Sequence, residues 1–168
     1  MEAAIGGNRA LQLRAMDGLR SRLPCDTQTG LPSIAALDEG DAATLCQLGA
    51  GRLGAVAVVL LGEGSLGLDE VRRLVQPSVR RTDLLVSLAR DTLVVLAPGL
   101  DPLAGRGLST RLARLLAEAL PPTGQTPALG AAYRSPLSTN GWGVAELARE
   151  AQRRAVDTAP AAAPTALG

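Results

Sequence analysis

Arg80 and Asp83 stand three positions apart, a spacing that lets a guanidinium and a carboxylate act on one face. Such a fork can read a guanine. Arginine donates to N7 and O6, and the carboxylate accepts from the imino and amino hydrogens of the other edge. The spacing itself is cheap in an arginine-rich chain, and Arg14/Asp17 and Arg154/Asp157 share it. The plain alternative is a surface ion pair contributing under about 1 kcal/mol. A second pattern is Gly62-Glu63-Gly64-Ser65-Leu66-Gly67, which matches G-x-G-x-x-G between an expected strand and an expected helix. It would bring a backbone close to a pyrophosphate at a helix N-terminus. That use requires parallel strands around it, with Asp91 as the ribose-binding acid, whereas a Gly-rich turn requires nothing more.

Other chemistry is thinly supplied. Histidine is absent, which excludes histidine-dependent triads and His-ligated zinc. Asp38, Glu39 and Asp41 cluster where a helix middle is expected and read as a solvated face. Asp69 and Glu70 fall in a first helical turn, where the helix dipole favours acids. Cys25 and Cys46 lie apart in apolar surroundings and read as buried small hydrophobes, with no disulfide or metal spacing. Trp142 and Tyr133 are the only aromatics, too few for a base-stacking platform.

These residues must be held by one domain, since 168 residues with 46% hydrophobic content suffice for a single core. Basic and acidic residues balance to a net charge of +1, so neither nucleic acid nor an anionic membrane is expected as a partner through bulk charge. The longest apolar run, Ala55 to Leu61, is too short to span a membrane, and the start lacks a signal-peptide run. A cytoplasmic protein is expected.

Apolar spacing predicts a helix over Asn8–Leu23, a second over Pro32–Leu48 and a doubly buried strand over Leu53–Leu61. A helix over Leu68–Val79 follows, weakened at Pro77. Strands Leu84–Leu88 and Thr92–Ala97 then form a hairpin around Ala89-Arg90-Asp91. A long helix over Leu103–Leu120, a strand over Pro127–Tyr133 and a helix over Val144–Thr158 complete the series. The order from Leu53 is β-α-β-β-α-β. It predicts a ferredoxin-like α+β domain, mainly antiparallel with helices on one face, preceded by an N-terminal helix. Residues 1–24 are assigned to that helix, 25–158 to the domain and 159–168 to a disordered Ala/Pro tail.

Asp26-x-Gln28-Thr29-Gly30-Leu31-Pro32 resembles the D-x-L-T-G-L-x-N-R opening of the GGDEF domain, the bacterial diguanylate cyclase family. The resemblance continues in order through Leu53–Leu61, Arg80-Arg81-Thr82-Asp83-Leu84-Leu85-Val86, Leu93–Pro98, Ala128–Ala132 and Leu147–Thr158. It implies a nucleotide-cyclase palm, in agreement with the element order. The departures are informative. The signature hairpin falls on Ala89, Arg90, Asp91, Thr92 and Leu93, where only the acid at Asp91 survives. The first-strand metal aspartate corresponds to Leu61. The segment bearing the family's lysine and guanine-reading residues is replaced by the turn from Gly62 to Leu68. The resemblance therefore implies an inactive relative with no magnesium site and no cofactor.

Asp83 precedes the first signature position, Ala89, by the spacing of the family's inhibitory product site. The resemblance thus implies a cyclic di-GMP effector that binds through Arg80 and Asp83. Arg111, then Arg114, would assist from the following helix. A helical placement would turn Arg81 about 100° away from Arg80. The open alternative is a ligand-free interaction or dimerisation module, and a dinucleotide-binding enzyme stands third. An output protein or a second copy is the expected partner. Met16, Leu19 and Leu23 would form either a short coiled-coil seam or a face packed back onto the domain.

Overall fold

Leu53–Leu61 forms strand β1, and its uninterrupted apolar sequence reflects burial on both sides. The structure, a computed structural model, describes residues 2–64, 66–120, 124–135 and 143–159, with backbone alone for 2–8. Helix α1 spans Glu2–Arg22, a 3₁₀ turn Ile34–Ala36 and α2 Glu39–Leu48. After β1 come α3 (Leu68–Val75), a 3₁₀ turn at Gln76–Ser78, β2 (Leu84–Ala89), β3 (Thr92–Pro98), α4 (Pro102–Ala119), β4 (Thr126–Arg134) and α5 (Val144–Thr158). Trp142 and the tail residues 160–168 lie outside the described residues.

The strands form one sheet in the order β2-β3-β1-β4, and every pairing is antiparallel. Helices cover both faces, not one as expected. Strand side chains alternate between the faces. Leu53, Ala55, Ala57 and Val59 of β1 therefore meet α1, α2 and α5, while Val56, Val58 and Leu60 meet α3 and α4. The second layer comes from the N-terminal segment and α5, which the β-α-β-β-α-β order does not place.

β4 turns Ala128 and Ala132 toward α5, with Gly130 between them. A Cβ on Gly130 would lie 2.2 Å from the Ala155 amide nitrogen and 2.5 Å from the Ala151 carbonyl oxygen. These are backbone atoms that no rotamer change can clear. Gly130→Ala is therefore expected to push α5 off the sheet and to lower stability by about 1–3 kcal/mol in denaturant unfolding.

The expected helix over Pro32–Leu48 is interrupted. Asp38 adopts extended backbone and caps α2, accepting from the Asp41 amide at 2.7 Å, while Asp41 accepts from the Asp38 amide at 3.1 Å. This reciprocal capping box stops any helix from running through the site. The acidic cluster is a solvated face only in part: Asp38 and Glu39 are exposed, whereas Asp41 is buried and pairs with Arg22 at 2.8 Å. Met16, Leu19 and Leu23 are buried against the domain, which spends the seam on intramolecular packing. Cys25 is exposed and Cys46 half-buried, so neither is the buried hydrophobe expected.

Candidate functional site at the Arg80–Asp83 turn

Pro77 ends the helical geometry of the α3 segment, and residues 79–83 form a turn in which the Asp83 amide donates to the Arg80 carbonyl at 3.0 Å. The carboxylate of Asp83 folds back into this turn. It accepts from the Arg80 amide at 2.8 Å, from Arg80 Nε at 3.2 Å and from Arg80 Nη2 at 3.1 Å. Arg80 Nη2 also donates to the Pro98 carbonyl at 3.1 Å. The Asp83 side chain is 2% exposed and that of Arg80 is 55% exposed. The expected fork, with both groups offered to a ligand, is not what forms: Asp83 points inward and holds Arg80, while Arg80 faces out.

α1 fastens the turn from outside. Arg20 Nη2 donates to the carbonyls of Arg81 and Asp83, the latter at 2.7 Å. Between α1 and the turn runs a groove of about 790 Å³, lined by Arg9, Gln12 and Leu13 on one side and residues 79–82 on the other. Its size falls within the range of ligand sites. Three arginines line it, Arg9, Arg80 and Arg81, and no acidic residue does. Because residues 79–83 are a turn and not a helix, Arg81 is not rotated away but shares the groove. Arg111 and Arg114 do not line it. Arg111 borders a shallow depression on the outer side of α4, with Arg106 and Thr110, and Arg114 lies exposed farther along that helix.

The hairpin residues lie elsewhere. Ala89, Arg90 and Asp91 are exposed at its tip. Thr92 is buried, donating to Asp91 Oδ1 at 2.9 Å and accepting from Gln152 Nε2 at 3.0 Å. Leu93 is buried toward α3 and α4, and Leu61 packs on the α5 side. Two carboxylates facing one divalent ion would need an acid at Leu61, so these residues do not fit a magnesium site. The described residues of the turn from Gly62 have structural partners of their own. Gly62 has φ +91°, and a Cβ there would meet the Gly124 carbonyl oxygen at 2.3 Å, which explains the glycine without a ligand. The Leu66 amide donates instead to Gln125 Oε1 at 2.7 Å. With every strand pair antiparallel, the doubly wound context of a dinucleotide enzyme is missing.

A second cavity of about 550 Å³ lies at the opposite end of α4 from its C-terminus, beside Arg52, Tyr133 and Arg134. Two of its polar groups have partners: Asp101 accepts from the Ala104 amide at 2.8 Å, and Arg134 reaches Cys46 Sγ at 3.8 Å. Burial raises the pKa of the Tyr133 hydroxyl there, against the opposing charges of Arg106 and Arg154. Reading residues alone missed Arg9 and Arg20, which no local motif ties to a turn some sixty to seventy positions later.

No family model matches the chain, and no curated protein matches it. Solved structures do. A sensory box/GGDEF family protein from Caulobacter crescentus aligns at 23% identity and a TM-score of 0.59, covering 79% of this chain and 96% of that one. The GGDEF domain of FimX from Pseudomonas aeruginosa aligns at 16% identity and a TM-score of 0.60, covering 79% and 89%. The coiled coil and GGDEF domain of DgcB from C. crescentus, in complex with c-di-GMP, aligns at 14% identity and a TM-score of 0.55, covering 93% and 90%. An antiparallel four-stranded sheet, a β2–β3 hairpin at the signature position and these superpositions agree: the chain carries the GGDEF-like, diguanylate cyclase fold.

Proposed function

We propose that this domain is a catalytically inactive receptor for cyclic di-GMP that acts as a signalling effector, with the groove at Arg80 as its site. The observation that carries this reading is the pre-set guanidinium of Arg80, held by Asp83 and the Pro98 carbonyl at the wall of a groove lined by cations. Fixing a long side chain before binding lowers the ordering cost of the complex, about 0.5–1.5 kcal/mol for such a residue. Nε and both Nη2 hydrogens of Arg80 are engaged. Nη1 has no hydrogen bond to another described residue and is the nitrogen left to donate to a guanine acceptor, O6 or N7. Arg81 supplies a second cation for a phosphodiester. Asp83 is a positioning residue for Arg80 and makes no guanine contact of its own.

The absence of catalysis follows from the residues that replace the cyclase machinery. Leu61 offers no carboxylate to a metal, Ala89 and Arg90 stand where the resemblance expects glycines, and Gln125 occupies the turn that would approach phosphates. Purified protein supplied with GTP and magnesium is expected to form no cyclic di-GMP; product accumulating above a protein-free control would refute inactivity.

Calorimetric titration tests the receptor reading, with GTP and cyclic di-AMP as controls. Saturable binding of cyclic di-GMP alone is expected. No heat of binding at high micromolar ligand would end this reading and leave the ligand-free interaction module in its place.

A further inference from the structure

The cavity beside Arg52 and Tyr133 shares no lining residue with the groove at Arg80. Its volume of about 550 Å³ is that of a small-molecule site. Leu100, Pro102 and Tyr133 give it an apolar wall, while Arg52, Arg134 and Ser135 bring polar groups. Gly105 of α4 sets Tyr133 in place. A Cβ there would lie 2.1 Å from the Tyr133 hydroxyl oxygen, so glycine is what lets the hydroxyl sit against the helix. Neither that hydroxyl nor the Arg52 guanidinium makes a hydrogen bond to another described residue. Among the described residues no buried side-chain nitrogen or oxygen lacks a partner, so the Tyr133 hydroxyl is open to solvent. Burial holds its pKa above the ordinary tyrosine value, which keeps it a proton donor near neutral pH, and the charges of Arg106 and Arg154 act on it as well. Asp101, the acidic residue of the lining, is already engaged by the Ala104 amide.

We propose that this cavity is a second ligand site, for a small organic anion: an apolar body carrying one phosphate or carboxylate. The anionic group lies with Arg52 and Arg134 and takes the Tyr133 hydroxyl as a donor, and the body lies against Leu100 and Pro102. Two arginines against one aspartate leave the lining net positive. The start of α4 takes no part in the recognition, because Pro102 has no amide hydrogen and Asp101 takes that of Ala104. Charge alone would hold inorganic phosphate equally well, and an apolar wall alone would hold a neutral compound equally well. A lining with both selects the molecule that has both. Since the two linings are separate, this site stands or falls apart from the receptor reading of the Arg80 groove.

Naphthyl phosphate, titrated into the full chain and followed by NMR, tests the site, with inorganic phosphate and naphthol as its two halves. Saturable shifts of the Arg52, Leu100 and Arg134 amides and of the Tyr133 ring are expected at millimolar probe, with each half binding about tenfold more weakly or worse. Arg52→Ala and Tyr133→Phe are each expected to weaken the probe by about tenfold, the loss of one hydrogen bond to a charged group. Tyr133→Phe keeps the ring and its packing, so its effect reports on the hydroxyl alone. Arg81→Ala, in the other groove, is expected to leave the affinity unchanged. The second site is refuted if millimolar probe moves none of these signals, if inorganic phosphate or naphthol binds as tightly as naphthyl phosphate, or if Arg81→Ala weakens the probe as much as Arg52→Ala. None of those results touches the receptor reading, which the cyclic di-GMP titration decides; Arg52→Ala is expected to leave that titration unchanged.

Discussion

Arg80→Ala is expected to weaken cyclic di-GMP binding by roughly five- to 150-fold, the loss of one good arginine–guanine contact worth about 1–3 kcal/mol. Arg80 lines the groove while Asp83 and the Pro98 carbonyl hold its Nε and Nη2. Lysine does not substitute, because a single ammonium on a flexible stem cannot reproduce the fork that holds Asp83 and the Pro98 carbonyl and still offers a further nitrogen to a base. Asp83→Asn alone should also weaken binding, since a neutral amide holds the guanidinium less firmly. The decisive comparison is the double variant. If Asp83 acts only through Arg80, adding Asp83→Asn to Arg80→Ala costs no further affinity in calorimetry. A further loss in the double variant would mean that Asp83 touches the guanine itself, as the bare R-x-x-D spacing invites one to think. Arg154→Ala, at one of the other R-x-x-D matches, should leave affinity unchanged, because Arg154 is committed to Glu150 and to the Ala131 carbonyl.

The same pair predicts an inverted order of stabilities. Arg80→Ala strands a carboxylate that is 2% exposed, leaving it only the amide of residue 80 as donor. Removing one partner of a buried pair costs about 3–5 kcal/mol, and water reaching the half-exposed arginine side places this case near about 3 kcal/mol. Asp83→Asn in the Arg80→Ala background removes the stranded charge and keeps an acceptor for that amide. The double variant is therefore expected to unfold at higher denaturant than Arg80→Ala alone. If the single variant is as stable as the unsubstituted protein, the pair is a surface ion pair after all, and Asp83 is not the anchor of Arg80.

Much of the fold was legible because it rests on local signals. The valine-rich run predicts β1 over Leu53–Leu61, and the spacing of Val144, Leu147, Ala151 and Ala155 predicts α5; both agree with the structure end to end. The hairpin at Ala89–Asp91 follows from two short apolar runs and a polar tip. Apolar period failed at Pro32–Leu48, where buried Ile34 and Leu45 fit one continued helix but Asp38 and Asp41 satisfy a capping box instead. There the hydrogen bonds of a helix start outweighed a pattern that only records which side chains end up inside.

At the site, sequence alone determined which residues carry charge and that Arg80 and Asp83 are close. It did not determine which of them meets solvent. That depends on the Pro98 carbonyl arriving from β3 and on Arg20 arriving from α1, contacts 18 and 63 positions away along the chain. Nor does any local pattern join Arg9 to Arg81; the packing of Met16 and Leu19 into the core lays α1 beside the turn and makes the groove. Apolar periodicity is a property of neighbours in the chain and can be read there. The direction of a polar side chain is a competition among partners that only the folded chain brings together.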